Sequence, residues 1–221
     1  MRIAVFGAGG LGGYLGGRLT QAGEEVALIA RGEHLRAIRE RGLKVDSAEG
    51  DFVARPAMAT DDPAEVDVVD AVIVGVKAWQ VTEAAEAMRP MVGPETFVVP
   101  VQNGVEAPSE LAGVLGSQHV LGGLVQIISF VVGPGHIRQT GGKPLVRFGE
   151  MDDRPSARIE RLRQAFVRAG VAAEIPPDIR AALWTKFLLI VAWSGVGAVT
   201  RAPAGVWRAV PETRRMVEQA M

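Results

Sequence analysis

The 221-residue sequence predicts an α/β protein: a doubly wound, mostly parallel sheet followed by a short or truncated all-helical C-terminal domain. Three observations carry that prediction. Residues 1–31 read strand, Gly7-Ala8-Gly9-Gly10-Leu11-Gly12, helix, strand, which is the order of a Rossmann-type dinucleotide-binding unit. Near-continuous apolar runs at 70–76 and 96–101 read as buried parallel strands with polar residues at their carboxyl ends. Beyond Pro176-Pro177 the strand signals stop and helical ones begin.

The elements follow in order. Arg2 to Phe6 is apolar enough for a buried strand, and Leu15, Leu19 and Ala22 then recur at helical spacing over 14–22. A second strand over 26–30 ends on Arg31. Residues 33–41 form an exposed helix with Leu35 and Ile38 inward, closed by Gly42. The stretches 43–46 and 51–54 alternate around Glu49-Gly50 as a β-hairpin. Helices follow the two apolar strands, over 81–91 and 108–115. Residues 119–132, 135–139 and 145–148 are β-rich with glycine turns, a meander that extends or covers the sheet. An amphipathic helix over 155–169 shows Ile159, Leu162 and Phe166 on one face, and a last strand lies at 171–175. Asp178 can cap a long helix over 179–199, and a further helix runs from 204 to the end. The proline pair divides the chain into 1–176, a dinucleotide-binding domain, and 177–221, an incomplete helical domain.

Composition narrows the function classes. Charge is nearly balanced at −1 and scattered, which gives no nucleic-acid or membrane footprint. With no cysteine there are neither disulfides nor thiolate sites, and His34, His119 and His136 lie at no metal-ligand spacing, so no metal is expected. The chain starts inside a strand, leaving no room for a signal peptide, and the apolar stretch 187–199 is short and broken by Ser194, Gly195 and Gly197. A cytoplasmic protein is expected.

Chemistry is expected at the carboxyl ends of the strands. Gly7 permits a tight turn, Gly9 lets a diphosphate approach the backbone, and Gly12 lets the helix sit close to the sheet, with Ala8, Gly10 and Leu11 completing the cradle. Arg31 stands where an NAD enzyme usually has an acidic residue for the ribose hydroxyl; a guanidinium there suits a 2′-phosphate, hence NADP(H). Lys77 and Asn103 follow the two later strands, beside the path of ribose and nicotinamide. Lys186 lies two turns into the long helix among Trp184, Phe187 and Leu188, where partial burial would lower its pKa toward that of a general acid.

Together the glycine turn, Lys77-Ala78-Trp79-Gln80, Gln102-Asn103-Gly104 and the Arg180–Lys186 segment resemble ketopantoate reductase (2-dehydropantoate 2-reductase). The resemblance implies NADPH as hydride donor, a small 2-keto acid as acceptor, and a cleft between a Rossmann domain and a helical domain. It implies that Gly7, Ala8, Gly9, Gly10, Leu11, Gly12, Arg31, Lys77 and Asn103 bind the cofactor. Lys77, Asn103, Lys186 and Ser194 would meet the substrate, with Lys186 the catalytic acid. The reaction implied is reduction of 2-dehydropantoate to pantoate, in pantothenate and coenzyme A biosynthesis.

Two departures qualify the resemblance. The family's asparagines four and eight residues after the catalytic lysine are here Ile190 and Ser194, which makes the pocket more apolar. Family members also continue for several more helices, so an apolar face is expected to be left open and a homodimer through the C-terminal helices to cover it. Two alternatives stand beside the main reading: a reductase of another 2-keto acid, and a dinucleotide-binding protein without catalysis.

Overall fold

Strand β1 (Arg2–Phe6) shows in five residues how the molecule is layered. Ile3 and Val5 point into one buried cluster while Ala4 and Phe6 point into another, as the two-residue period of a strand buried on both faces requires. The computed structural model describes residues 1–221. After β1 come α1 (Gly10–Gln21), β2 (Glu25–Ile29), α2 (Gly32–Arg41), β3 (Leu43–Ser47), β4 (Phe52–Ala54) and β5 (Met58–Thr60). Then follow β6 (Ala71–Val74), α3 (Val81–Ala87), β7 (Phe97–Pro100), α4 (Ala107–Leu115), β8 (Leu121–Gly133) and β9 (His136–Glu150). The chain closes with α5 (Ala157–Arg168), β10 (Ala172–Glu174), α6 (Ile179–Thr200), α7 (Ala204–Ala209) and α8 (Pro211–Ala220).

Five strands form a parallel sheet in the order β5-β2-β1-β6-β7. Numbered within that sheet, the order is 3-2-1-4-5, the doubly wound pattern expected from the sequence. β5 is the strand that the sequence reading omits; at three residues on a sheet edge it leaves little apolar signal.

The β-rich middle of the chain both extends and covers this sheet. Val120 makes a single parallel bridge to Val98 of β7, in the place of a sixth strand. From Leu121 onward β8 leaves that plane and pairs antiparallel with β9, from Leu121 opposite Glu150 to Gly133 opposite His136. With β10, β3 and β4 this hairpin makes a second sheet.

Helix α1 lies between the two sheets, and its glycines explain how it fits. A Cβ on Gly12 would stand 2.2 Å from the Gly7 carbonyl oxygen, and one on Gly13 would stand 2.3 Å from Ile137 of β9. A side chain at Gly12 would force the Gly7 carbonyl aside, and one at Gly13 would have to displace the end of the Ile137 side chain.

Elsewhere prolines move the expected boundaries. The helix over 81–91 becomes α3 and a separate 3₁₀ turn, Arg89–Met91, containing Pro90. Pro211 opens α8 and divides the expected last helix in two. Asp178 caps α6 as expected, its carboxylate accepting the Ala181 N–H at 2.7 Å.

Helix α6 is anchored differently from the rest. Ile179 and Leu183 pack with Leu124 of β8 in a cluster of only three buried residues. Trp184, Leu188, Leu189, Val191, Trp193 and Val199 remain exposed along it. Trp193 meets Trp207 of α7 edge-on at 4.8 Å, which ties the last helices to α6. With 22 residues and a mean hydropathy of 1.6 over an 18-residue window, α6 is long and apolar enough to cross a membrane, longer than the 187–199 stretch suggests.

Candidate active site

A cavity of about 390 Å³ opens at the carboxyl ends of β1, β2 and β6. Gly7, Ala8, Gly9, Arg31 and Lys77 line it, so the structure brings these five expected cofactor residues together. His34, Gln80 and Glu83 line it as well.

The turn is built by local constraint. Gly7 has φ +98°, a left-handed conformation that glycine adopts without penalty. This lets its N–H and that of Ala8 both donate to Ile29 O, at 3.2 and 2.9 Å, locking the turn to β2. Gly9 is the N-cap of α1 and has no side-chain cap, while a Cβ placed on it would meet nothing within 4 Å. The helix begins at Gly10, four residues before the expected start, and Gly10, Leu11 and Gly12 of its first turn do not line the cavity. Gly10 has a different role from its neighbour: a Cβ there would strike Ser129 O and the Phe130 backbone of β8 at 2.6 Å. Leu11 is half-buried against the larger core.

Arg31 is the N-cap of α2, is exposed, and pairs with no carboxylate, so its guanidinium is free toward the cavity. Lys77 follows β6 and is exposed; its backbone N–H donates to Gln80 Oε1 at 3.3 Å, holding the Lys-Ala-Trp-Gln turn. These surroundings fit a phosphate-bearing dinucleotide: a bare glycine at the start of a helix and two cations without carboxylate partners stand at one cavity.

The remaining expected residues lie outside this cavity. Asn103 is exposed just past β7, on the next strand over, and Ser194 is exposed on α6. Lys186 is connected through β8. Its ammonium donates to Val125 O at 2.7 Å, and burial pushes its pKa down to about 8. Two residues earlier on β8, Gly123 lies so close to β7 that a Cβ would stand 2.4 Å from Pro100 O. Lys186 thus reaches the strand that lies against the end of β7, where Gln102 and Asn103 begin.

His34 is the cavity residue that sequence reasoning set aside as isolated. Its signal was position: it stands three residues after Arg31, on the first turn of α2 and therefore toward the same end of the sheet. No group of three or more His, Asp or Glu side chains is placed to hold a metal ion.

Comparison with known proteins supplies the family. Residues 3–153 match the model described as ketopantoate reductase PanE/ApbA. A 2-dehydropantoate 2-reductase of Mesorhizobium japonicum is 31% identical, over the whole of this chain and 74% of that protein. The crystal structure of 2-dehydropantoate 2-reductase from Porphyromonas gingivalis W83 superimposes with a TM-score of 0.91 at 33% identity, covering 99% of this chain and 79% of that one. A ternary structure of D-mandelate dehydrogenase with NADH and anilino(oxo)acetate has a TM-score of 0.89 over 98% of this chain and 70% of that one; at 23% identity this is a likeness of fold. The relatives named as reductases are oxidoreductases acting on a CH–OH group, and on the family match and these identities the chain belongs to the ketopantoate reductase family.

Proposed function

We propose that the chain is an NADPH-dependent 2-keto acid reductase that converts 2-dehydropantoate to pantoate, a step of pantothenate and coenzyme A formation. The observation that carries this reading is Lys186, a half-buried ammonium with a lowered pKa and no carboxylate partner, held by one backbone carbonyl. A lysine kept this way can give up a proton near neutral pH, which structural lysines rarely do.

The residues divide the work. Gly7, Ala8 and Gly9, which line the cavity, form the diphosphate cradle with Gly10, Leu11 and Gly12 behind them in the first turn of α1, and Arg31 takes the 2′-phosphate with paired hydrogen bonds. Lys77 and Asn103 orient the ribose and the substrate carboxylate at the strand ends. When bound, the nicotinamide supplies the hydride to the carbonyl carbon. Lys186 stabilises the negative charge growing on the carbonyl oxygen and delivers the proton that completes the alcohol. Ser194 offers a hydroxyl two turns further along α6.

A second acceptor, a bulkier or more apolar 2-keto acid, is favoured by one feature: Ile190 is half-buried on α6, one turn from Lys186, where the family places an asparagine. The same reading divides the chain at Pro176-Pro177, sets the enzyme in the cytoplasm without a membrane or nucleic-acid partner, and joins two copies through the exposed apolar side of α6.

The test is a panel of 2-keto acids assayed for NADPH and NADH oxidation with the wild-type chain and Arg31→Asp. NADPH is expected to be favoured by at least tenfold, and Arg31→Asp to remove most of that preference. Equal use of both cofactors by the wild type overturns the Arg31 assignment; 2-dehydropantoate as a poor acceptor beside a bulkier acid moves the substrate to the second reading. Tight dinucleotide binding with no turnover on any acid would leave a binding protein.

A further inference from the structure

We propose that His34 is a positioning residue for the dinucleotide: its neutral imidazole ties the glycine turn to the tip of the β8–β9 hairpin and so fixes the cradle. The inference rests on the dinucleotide reading above but adds a residue and a function that reading does not contain.

The geometry fixes the tautomer. Nε2 lies 2.9 Å from Ala8 O, and the Gly135 N–H points at Nδ1 with a nitrogen separation of 3.0 Å. A carbonyl only accepts and a backbone N–H only donates, so Nε2 must carry the hydrogen and Nδ1 the lone pair. One ring form satisfies both partners. Ala8 is the second residue of the glycine turn, and Gly135 sits in the two-residue connection between β8 and β9.

Both ends of this link matter to the cavity. The hairpin tip is itself seated on α2 and β3: a Cβ on Gly135 would stand 2.8 Å from the Cβ of Ala37, and its carbonyl accepts the Lys44 N–H at 2.9 Å. From the same hairpin, Ser129 and Phe130 rest on Gly10, and Val131 lines the cavity. The hairpin therefore forms one wall of the slot over the glycine turn, and His34 is the side chain that hydrogen-bonds to both.

Charge elsewhere does not govern the ring. The glycine turn and the hairpin tip present backbone groups to it. The ionisable side chains around it are Arg31, Lys77 and Glu83 in the cavity, Glu33 and Arg36, which pair at 3.0 Å, and His136, which lies against Asp46. Burial holds the pKa of His34 below 6.5, and the Ala8 and Gly133 carbonyls oppose that without reversing it. Protonation would turn Nδ1 from acceptor to donor, away from Gly135 N–H and toward the Gly133 carbonyl, which undoes the link to Gly135.

The experiment is a fluorescence titration of NADPH and NADH against the wild-type chain, His34→Ala and His34→Gln, from pH 5 to 8, with thermal melting of each. His34→Ala should weaken dinucleotide binding about tenfold or more at pH 7.5 while the KM for the keto acid changes far less. His34→Gln, which keeps a donor and an acceptor, should recover part of that loss. The ratio of variant to wild-type Kd cancels the titration of the ligand's own phosphate. Burial keeps the wild-type ring neutral at pH 7.5, so the ratio for His34→Ala should stay large from pH 7 to 8.

An unchanged Kd for a folded His34→Ala overturns the proposal. If the wild type binds neither dinucleotide, the broader cofactor reading fails instead.

Discussion

The two ends of the chain hold their functional groups by opposite means. At the glycine turn the backbone is fixed from every side: hydrogen bonds to Ile29 O lock it to β2, Gly12 packs against Gly7 O, and α1 is held between two sheets. The cluster that includes Val5, Leu15, Leu28, Ile137 and Phe166 has 30 buried residues. Lys186, by contrast, rides on a helix whose buried contact with the sheets is Leu124, Ile179 and Leu183. A cofactor site can be made by backbone geometry, which needs dense packing to hold it. A proton donor needs only one side chain at the right depth, and a helix with a small footprint can supply that.

The largest effect expected from breaking either end falls on Lys186. Lys186→Ala should lower kcat for keto acid reduction by about a thousandfold, within the range for loss of a general acid, while NADPH affinity stays within a factor of two. Steady-state rates beside a binding titration measure the two quantities. An active variant would remove Lys186 from the chemistry and leave the helical end structural only.

A smaller effect separates the two kinds of anchoring. Gly12→Ala places a methyl group 2.2 Å from the Gly7 carbonyl, so the turn must open; about 3 kcal/mol of stability and the dinucleotide site should go together. Leu183→Ala removes one of three buried residues under α6 and should cost about 2 kcal/mol. That loss is confined to the helical end, with NADPH binding retained and turnover reduced. Urea melts followed by both circular dichroism and cofactor fluorescence tell these apart. If Leu183→Ala lost NADPH binding as fully as Gly12→Ala does, the two ends would be one cooperative unit.

The same contrast explains what the sequence made legible. Periodicity and glycine spacing locate the parallel sheet, α1, Arg31 and Lys77, because those follow from the chain's own local chemistry. The three-residue β5 gives almost no pattern to detect, and the division of the last helix depends on Pro211 acting as a start rather than an interior residue. The hairpins of the second sheet are local, but their joining depends on pairings between residues far apart in sequence, such as Val45 with Ile137, which no local pattern encodes. For the same reason His34 was missed: its partners are Ala8 and, 101 residues away, Gly135. Lys186 was singled out for its apolar neighbours, and its bond to Val125 O depends on where β8 lies.

The gentlest probe of the comparison is pH, because the acid role proposed for Lys186 would make activity and stability run in opposite directions. Its pKa falls from 10.5 to about 8 through burial, so the folded state disfavours the ammonium. Below pH 8 it is protonated in both folded and unfolded chains, and the full cost of burying the charge is present. Between 8 and 10.5 the unfolded chain keeps more of this proton than the folded one, so this group's contribution to stability rises with pH. Reduction needs the proton. Its rate should be level below pH 8 and fall about tenfold per unit above it, where Lys186→Met should lose the rise in stability that the wild type shows. Paired pH profiles of kcat/KM and Tm for the two chains measure this. An activity that stays level to pH 10 would mean that the proton comes from another group, and that the helix places a fixed charge at the site and no acid.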